Sequence, residues 1–210
     1  MITILIADDH HLMREGLKKI VQEEKDIHVI AEAANGHDVL RLVAEHEPDV
    51  IVMDIMMPEL NGFDVLKELQ RRKSDIPVLV LSMYPEERYA TRVLKAGASG
   101  YITKESAPHE LVLAIRKVSA GGKYISSSAA EQLAKEASPM NNKLPHESLS
   151  DREFQILCLL AQGKTTLQIA HDLHISDVTV RTYRIHIYEK MNIKSLPELI
   201  HYAIQHRLIS

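Results

Sequence analysis

The sequence predicts an α/β domain built on a doubly wound parallel sheet, followed by a smaller all-helical domain. Two observations predict this organisation. Over residues 1–124, five short apolar runs alternate with five amphipathic segments of helical period, and beyond residue 148 every periodic segment is helical. The length of 210 residues is sufficient for two separate cores.

The five apolar runs are the predicted strands of the sheet. They cover residues 2–7, 28–33, 49–53, 77–81 and 100–103. The predicted helices between and after them cover residues 11–23, 37–46, 63–72, 86–95 and 107–119. Because the connections are short and crossovers between parallel strands are right-handed, few topologies are possible. Of these we choose the flavodoxin-like strand order 2-1-3-4-5.

A segment rich in Ser, Ala, Asn and Pro separates the two domains, after a Gly121-Gly122 stop. Within it, Ser128 followed three residues on by Glu131 is typical of a helix start, so the linker contains a candidate short helix. The predicted boundaries are 1–124 for the first domain, 125–147 for the linker and 148–210 for the second domain.

Composition places the chain among ordinary soluble proteins, with 45% hydrophobic and 26% charged residues. No apolar stretch approaches the ~20 residues of a membrane helix, and the N-terminus lacks the features of a secretory signal. The single cysteine, Cys158, forms no intramolecular disulfide and falls at an apolar helical position, where we expect it in the core. We therefore expect a cytoplasmic protein with no membrane partner.

Charge is distributed unevenly between the domains. Residues 1–124 carry 16 Lys and Arg against 20 Asp and Glu, whereas residues 148–210 carry 7 against 6. The second domain is thus only mildly basic, so its bulk charge does not identify a nucleic-acid partner. The twelve histidines are scattered and no cysteine accompanies them, which makes a zinc site the weaker interpretation.

Polar residues follow four of the predicted strands at their carboxyl ends. They are Asp8 and Asp9, Asp54, Ser82 and Lys104. In a parallel sheet these ends meet at one edge, where open α/β sheets bind their ligands. Taken alone, each residue is explained as a helix cap, a turn residue or a solvated lysine. Only their joint placement predicts a functional site.

Three crowded carboxylates predict a Mg²⁺ site, because this ion prefers oxygen ligands. Asp9 and Asp54 are the expected direct ligands, with Asp8 acting through water or as a third ligand. A divalent cation would relieve the repulsion between the carboxylates and favour ionised Asp54, the form that attacks phosphorus. Lys104 and the hydroxyl of Ser82 would then hold phosphoryl oxygens.

These residues resemble the receiver domain of bacterial response regulators. The motifs are Asp8-Asp9-His10, Met53-Asp54-Ile55-Met56-Met57-Pro58 with Gly62 following, Ser82 and Lys104. The resemblance implies that Asp54 accepts phosphate from a sensor histidine kinase. It implies that the backbone carbonyl of Met56 is a further Mg²⁺ ligand, and that Ser82 and Tyr101 form a switch pair. Many receivers have a cis proline after the lysine; here Glu105 follows, which leaves the isomer of that bond open.

The second domain reads as four helices with a helix-turn-helix. Ser150 with Glu153 is a capping-box start, and Ser176 is a cap for the third helix, predicted over about 177–191. The three-residue turn His174-Ile175-Ser176 precedes this helix, which we expect to be the recognition helix. The stripe predicted to face the bundle is Val178, Val180 or Tyr183, Ile187 and Met191.

These last 62 residues resemble the LuxR-type helix-turn-helix of the NarL/FixJ class of response regulators. The motifs are Leu149-Ser150-Asp151-Arg152-Glu153, Gly163-Lys164, Ile169-Ala170, Ile175-Ser176, Thr179-Val180-Arg181-Thr182 and Lys190-Met191. We expect Arg181 to read a guanine edge, and Thr182 or Ile185 to contact a thymine methyl. The expected phosphate contacts are Arg184, Lys190, Lys164, Thr165 and Thr166. The sequence departs from this class at Gln168, where Glu is usual, and at Tyr183, where His is common.

The leading hypothesis is therefore a regulator that binds double-stranded DNA and is controlled by phosphorylation of Asp54. The resemblance implies a homodimer on activation, paired through the fourth helix, and RNA polymerase is a further candidate partner. Two alternatives stay open: a Mg²⁺-dependent aspartyl-phosphate phosphohydrolase, and a DNA-binding regulator that is independent of phosphorylation. Beyond self-phosphorylation from small donors and self-dephosphorylation, we expect no enzymatic activity.

Overall fold

The computed structural model of the chain describes residues 1–84, 86–136, 144–206 and 208–209. Its described residues form two compact units, one ending with the helix that closes at Glu136 and the other beginning at Leu144. Residues 137–143 of the predicted linker lie outside the described residues.

The first unit is a five-stranded parallel sheet with helices between the strands. Its strands are β1 (Ile2–Ala7), β2 (Ile27–Ala33), β3 (Val50–Asp54), β4 (Val78–Ser82) and β5 (Gly100–Thr103). Its helices are α1 (His11–Gln22), α2 (Gly36–His46), α3 (Gly62–Arg71), α4 (Glu86–Lys95), α5 (Ala107–Ser119) and α6 (Ser127–Glu136). The strand order is β2-β1-β3-β4-β5 and every neighbouring pair is parallel, which confirms the predicted α/β topology.

The burial of the central strands explains why the sequence shows them as apolar runs. All residues of β3 and β4 are buried, as expected for strands covered on both faces. Val52 belongs to a core shared with residues of α1 and α5, such as Leu17 and Leu111. Because successive side chains alternate across a sheet, Ile51 and Met53 point to the opposite face. Each strand end is thereby held firmly in the plane of the sheet.

Segment 123–136 continues the first unit beyond α5. Tyr124 forms a parallel bridge with Gly100 of β5, and α6 packs against α4. The carboxylate of Glu86 accepts a hydrogen bond of 2.7 Å from the backbone N–H of Ser126, just before α6. The helix that the sequence placed in the linker is therefore ten residues long and packed onto the first unit.

The second unit consists of four helices preceded by one 3₁₀ turn. The turn is Pro145–Ser148, and the helices are α7 (Asp151–Ala161), α8 (Thr166–Asp172), α9 (Asp177–Met191) and α10 (Leu196–Gln205). The predicted capping box of Ser150 and Glu153 is present, and the hydroxyl of Ser176 accepts from the backbone N–H of Thr179. Cys158 is buried in α7, so its assignment to the core is confirmed.

Helix α9 packs on α7 and α8 through Val180, Ile187 and Met191, which are buried as predicted. Val178 was expected in the same stripe, and this prediction was wrong because its side chain is 65% exposed. Val178 precedes Val180 by two residues, which in a helix places the two side chains about 200° apart rather than on one face.

No cis peptide bond occurs among the described residues, so the Lys104–Glu105 bond is trans. Within the same part of the chain, no helix has the length and apolar character needed to cross a membrane.

Two helical glycines make a matched test of the packing. A Cβ at Gly36, in α2, would lie 2.2 Å from the backbone oxygen of Leu60, whereas a Cβ at Gly16, in α1, would meet nothing within 4 Å. We expect Gly36→Ala to cost about 1–3 kcal/mol of unfolding free energy, because the obstructing atom is backbone. Gly16→Ala should instead stabilise by about 0.5–1 kcal/mol. Urea unfolding followed by circular dichroism checks both, and equal effects of the two substitutions would contradict this packing.

Candidate functional site

Four strands deliver the predicted polar residues to one edge of the sheet. Asp8 and Asp9 follow β1, Asp54 ends β3, Ser82 ends β4, and Lys104 follows β5. Carboxylate oxygens of Asp8, Asp9 and Asp54 lie within 4.8 Å of one another and of a ring nitrogen of His10. The structure thus brings the three carboxylates together in one cluster.

Lys104 bridges two of these carboxylates. Its ammonium nitrogen Nζ lies 2.6 Å from Oδ2 of Asp8 and 2.7 Å from Oδ2 of Asp54. Asp8 and Asp54 are buried, and only 7% of the lysine side chain is exposed. A buried ion pair depends on good geometry to offset the desolvation of its charges, and here one cation serves two anions.

Burial dominates the electrostatics of Asp54. It raises the pKa of this carboxyl to about 6, a shift that Lys104 opposes and Asp8 reinforces. Burial by itself lowers the pKa of Lys104, but its two carboxylate partners outweigh this and raise the pKa of the ammonium overall. One positive charge against two buried negative charges leaves the cluster short of positive charge.

His10 is a member of the cluster that the sequence did not assign a role. Its Nδ1 lies 2.8 Å from Oδ1 of Asp9, and its backbone N–H donates to Oδ1 of Asp8 over 2.9 Å. The ring is largely exposed, with 71% of the side chain accessible. The sequence feature that could have identified His10 is its position directly after the two site carboxylates Asp8 and Asp9. A search for spaced metal-binding histidines does not detect this feature.

The loop after β3 folds back over Asp54. The backbone N–H of Met56 donates to Oδ1 of Asp54 over 2.9 Å, while Oδ2 of the same carboxyl pairs with Lys104. Carboxylate oxygens at this density form a ligand set suited to a hard divalent cation. The donor chemistry therefore fits a metal bound next to Asp54.

Ser82 and Tyr101 lie on neighbouring strands. Ser82 is fully buried, and its hydroxyl accepts from the backbone N–H of Tyr84 over 3.1 Å. Tyr101 is also buried, and its phenol donates to the backbone oxygen of Tyr84 over 2.7 Å. Burial raises the pKa of the Tyr101 phenol, which keeps it protonated as a donor. Both predicted switch residues thus bind the same short segment after β4.

The exposed face of α9 carries three of the predicted DNA contacts. Arg181, Thr182 and Ile185 are all exposed. The guanidinium of Arg181 pairs with Asp177 over 2.9 Å, and the hydroxyl of Thr182 donates to the backbone oxygen of Val178 over 3.1 Å. Arg184 lies one residue before Ile185 and is half-buried.

Both predicted lysine contacts already have carboxylate partners in the second unit. Lys190 lies 2.7 Å from Glu153, whose side chain is almost fully buried, and Lys164 pairs with Asp172. The hydroxyl of Thr165 caps α8 by accepting from the backbone N–H of Gln168, and Thr166 begins that helix. These side chains therefore already have partners within the unit. DNA phosphates would have to displace those partners in order to bind them.

Comparison with protein families finds two matches along the chain. Residues 4–116 match the model of the response regulator receiver domain. Residues 147–203 match the model of bacterial regulatory proteins of the luxR family.

Two curated proteins are similar over nearly the whole chain. Response regulator GacA of Pseudomonas aeruginosa is 40% identical over 100% of this chain and 98% of its own length. Response regulator UvrY of Escherichia coli K12 is 37% identical over 99% of this chain and 96% of its own length. Among solved structures, RcsB of Salmonella enterica serovar Typhimurium, 21% identical, shares the fold with a TM-score of 0.65, over 96% of this chain and 98% of that one.

The raised pKa of Asp54 has a consequence for stability. Because the carboxyl binds its proton more tightly in the folded chain, at a pKa of about 6 against an ordinary value of 3.8, its contribution to stability is complete below pH 4 and is lost as the pH rises through 6. In EDTA we expect Asp54→Asn to stabilise the chain at pH 8 by on the order of 1–3 kcal/mol. At pH 4 this advantage should vanish.

Urea unfolding across this pH range measures the effect. Asp75→Asn, an exposed carboxylate in the loop before β4, is the control and should change stability little at any pH. If the Asp54→Asn chain were less stable than the wild type at pH 8, ionised Asp54 would not destabilise the folded chain, and this account would be contradicted.

Proposed function

The chain belongs to the NarL/FixJ class of two-component response regulators, DNA-binding transcription regulators with a receiver domain and a LuxR-type domain, and from this premise we propose that Asp54 is its phosphoacceptor. The observation that carries the proposal is the buried contact of Asp54 with Lys104, set among Asp8 and Asp9. We propose residues 1–124 as the receiver domain and residues 148–210 as the DNA-binding domain.

In the proposed reaction, a carboxylate oxygen of Asp54 attacks the phosphorus of a phosphohistidine on the sensor histidine kinase. The new O–P bond forms as the P–N bond breaks, and the electron pair of that bond stays on the imidazole. Lys104 exchanges its contact with Asp54 for one with a phosphoryl oxygen, and the Ser82 hydroxyl donates to another. Lys104 needs little movement, because its ammonium already lies against the attacked carboxyl.

Asp8, Asp9, Asp54 and the backbone carbonyl of Met56 would hold a Mg²⁺ ion. When bound, the ion supplies positive charge beside the phosphoryl group and the three carboxylates. The shortage of positive charge in the cluster supports this assignment, since two buried carboxylates share one ammonium. We propose that small phosphodonors also phosphorylate Asp54 and that the acyl phosphate is slowly hydrolysed, with no turnover of other phosphoesters.

Phosphorylation would act through a change in populations. We propose that phosphate at Asp54 shifts an existing equilibrium from a form in which α9 is masked to an open form that dimerises through α10 and binds double-stranded DNA. Tyr101 and Ser82 would transmit the change, since both bind the backbone of Tyr84 after β4. RNA polymerase is the proposed partner of the dimer at promoters.

Within the DNA-binding domain, Arg181 is the proposed guanine contact, and Thr182 and Ile185 face bases beside it. Arg184, Lys190, Lys164, Thr165 and Thr166 are the proposed phosphate contacts. The exposed or partly buried positions of these residues, on α9 and at the start of α8, support their assignment as DNA contacts, and the ion pairs of Lys164 and Lys190 would be exchanged for phosphates on binding.

Phosphorylation of Asp54 is testable by intact mass. With acetyl phosphate and Mg²⁺, we expect the wild-type chain and Asp75→Asn to gain one phosphoryl group, and Asp54→Asn to gain none. The phosphorylated wild type should then bind a selected DNA duplex more tightly in a gel-shift measurement. Phosphoryl uptake by Asp54→Asn, or unchanged DNA affinity after full phosphorylation, would rule against the proposal. Multiple turnover of phosphomonoesters would favour the hydrolase instead.

The two arginines of α9 should have different effects on DNA binding. We expect Arg181→Ala to cost roughly 1–3 kcal/mol and to relax the preference for one guanine. Arg184→Ala should weaken all sequences alike and reduce the slope of log affinity against log salt by about 1. Fluorescence anisotropy at several salt concentrations distinguishes them, with Arg71→Ala in α3 as a control of equal charge loss. Uniform weakening by Arg181→Ala would contradict its role in base recognition.

A further inference from the structure

Four exposed side chains lie along one face of α9. They are Val178, Arg181, Thr182 and Ile185, at the spacing i, i+3, i+4 and i+7 that places residues on a single helix face. Val178 and Ile185 are 65% and 55% exposed, whereas Val180 and Ile187 on the other side are buried. The face thus begins and ends with an apolar side chain that is more than half exposed.

Single exposed apolar residues are common on protein surfaces and need no explanation. This face differs because its two apolar residues, Val178 and Ile185, share one helix face with the polar residues Arg181 and Thr182. The hydroxyl of Thr182 donates to the backbone oxygen of Val178, and the exposed Thr182 side chain also carries a methyl group. Between the two apolar ends, Arg181 supplies a positive charge.

The matching surface in a DNA major groove is the edge of a thymine. Its C5-methyl is the apolar group that bases present there, and aliphatic side chains contact it. Val178 is the second residue of α9, at the helix end whose residues reach the bases when a recognition helix lies in the groove. Charge and apolar surface on this face therefore both fit a duplex.

We propose that Val178 is a specificity-determining residue that reads the C5-methyl of a thymine, as part of a four-residue reading face. This inference rests on the proposed DNA contact of α9. Ile185 lies seven residues further on, about 10.5 Å along the helix axis. Because this distance exceeds the roughly 3.4 Å between neighbouring base pairs, the two side chains would reach different base pairs. The recognised half-site thus contains two thymines at different base pairs, together with a guanine for Arg181.

Replacing thymine by deoxyuridine tests this directly, because the exchange removes the methyl group alone. The full-length chain, treated with acetyl phosphate and Mg²⁺, first selects its preferred duplex from a random pool. Each thymine of that duplex is then replaced in turn, and the affinity is measured by fluorescence anisotropy. For the wild type we expect a loss of about fourfold at each of two positions, the effect of exposing one methyl-sized group to water.

Variants assign each position to a side chain. Val178→Ala should lose the penalty at one thymine and keep it at the other, and Ile185→Ala should show the reverse pattern. Leu113→Ala, which truncates an exposed residue of α5 in the first unit, is the control and should keep both penalties. The penalties are ratios within one protein, so a general change in affinity does not alter them.

The inference is overturned if deoxyuridine weakens binding at no position, or if Val178→Ala keeps both penalties. In either case the chain still binds DNA, and the proposed function stands. A chain that enriches no duplex at all contradicts the proposed function, and the inference falls with it.

Discussion

The receiver unit depends on burying two carboxylates beside a single ammonium. Asp8 and Asp54 arrive from β1 and β3, and Lys104 follows β5, so the contact ties together three strands that are distant in sequence. Such an arrangement costs desolvation energy that an apolar trio would not incur. The proposed function accounts for this cost, since a buried carboxylate short of positive charge would exchange its partners for a cation and a phosphoryl group.

Three cations of the second unit pair with carboxylates of the same unit, which affects how the unit would bind DNA. Arg181, Lys164 and Lys190 each pair with a carboxylate of the same unit. In the proposed complex, DNA would replace the carboxylate partners of these cations, so each contact would contribute less free energy than a cation without a partner would give. Two DNA-binding units joined in one dimer would bind with the benefit of a high effective concentration. The proposed dimerisation on phosphorylation would therefore compensate for the weak electrostatics of a single DNA-binding unit.

The strands and the site edge were predictable because buried apolar runs and turn chemistry are local signals. β1 and β5 lie where the sequence places them, β2 begins one residue earlier, and β3 and β4 both begin and end one residue later. The joint position of Asp8, Asp54 and Lys104 followed from strand order alone. The spacing of residues in the sequence does not show which side chains pair across long separations. The ion pair of Lys190 with Glu153, 37 residues away, is an example. Val178 was misplaced for a different reason: its apolar character was read as burial, although the helical period puts it outside.

The ionisation of Asp54 is the most direct measure of the central interaction. A ¹³C NMR titration of its carboxyl carbon, in EDTA, compares the wild type with Lys104→Met. Burial with a lysine counter-ion predicts a pKa of about 6 in the wild type, a higher value in the variant, and a fall when Mg²⁺ is added. A carboxyl that titrates with a pKa near its ordinary value of 3.8 in both chains would mean that Asp54 is neither buried nor held by Lys104.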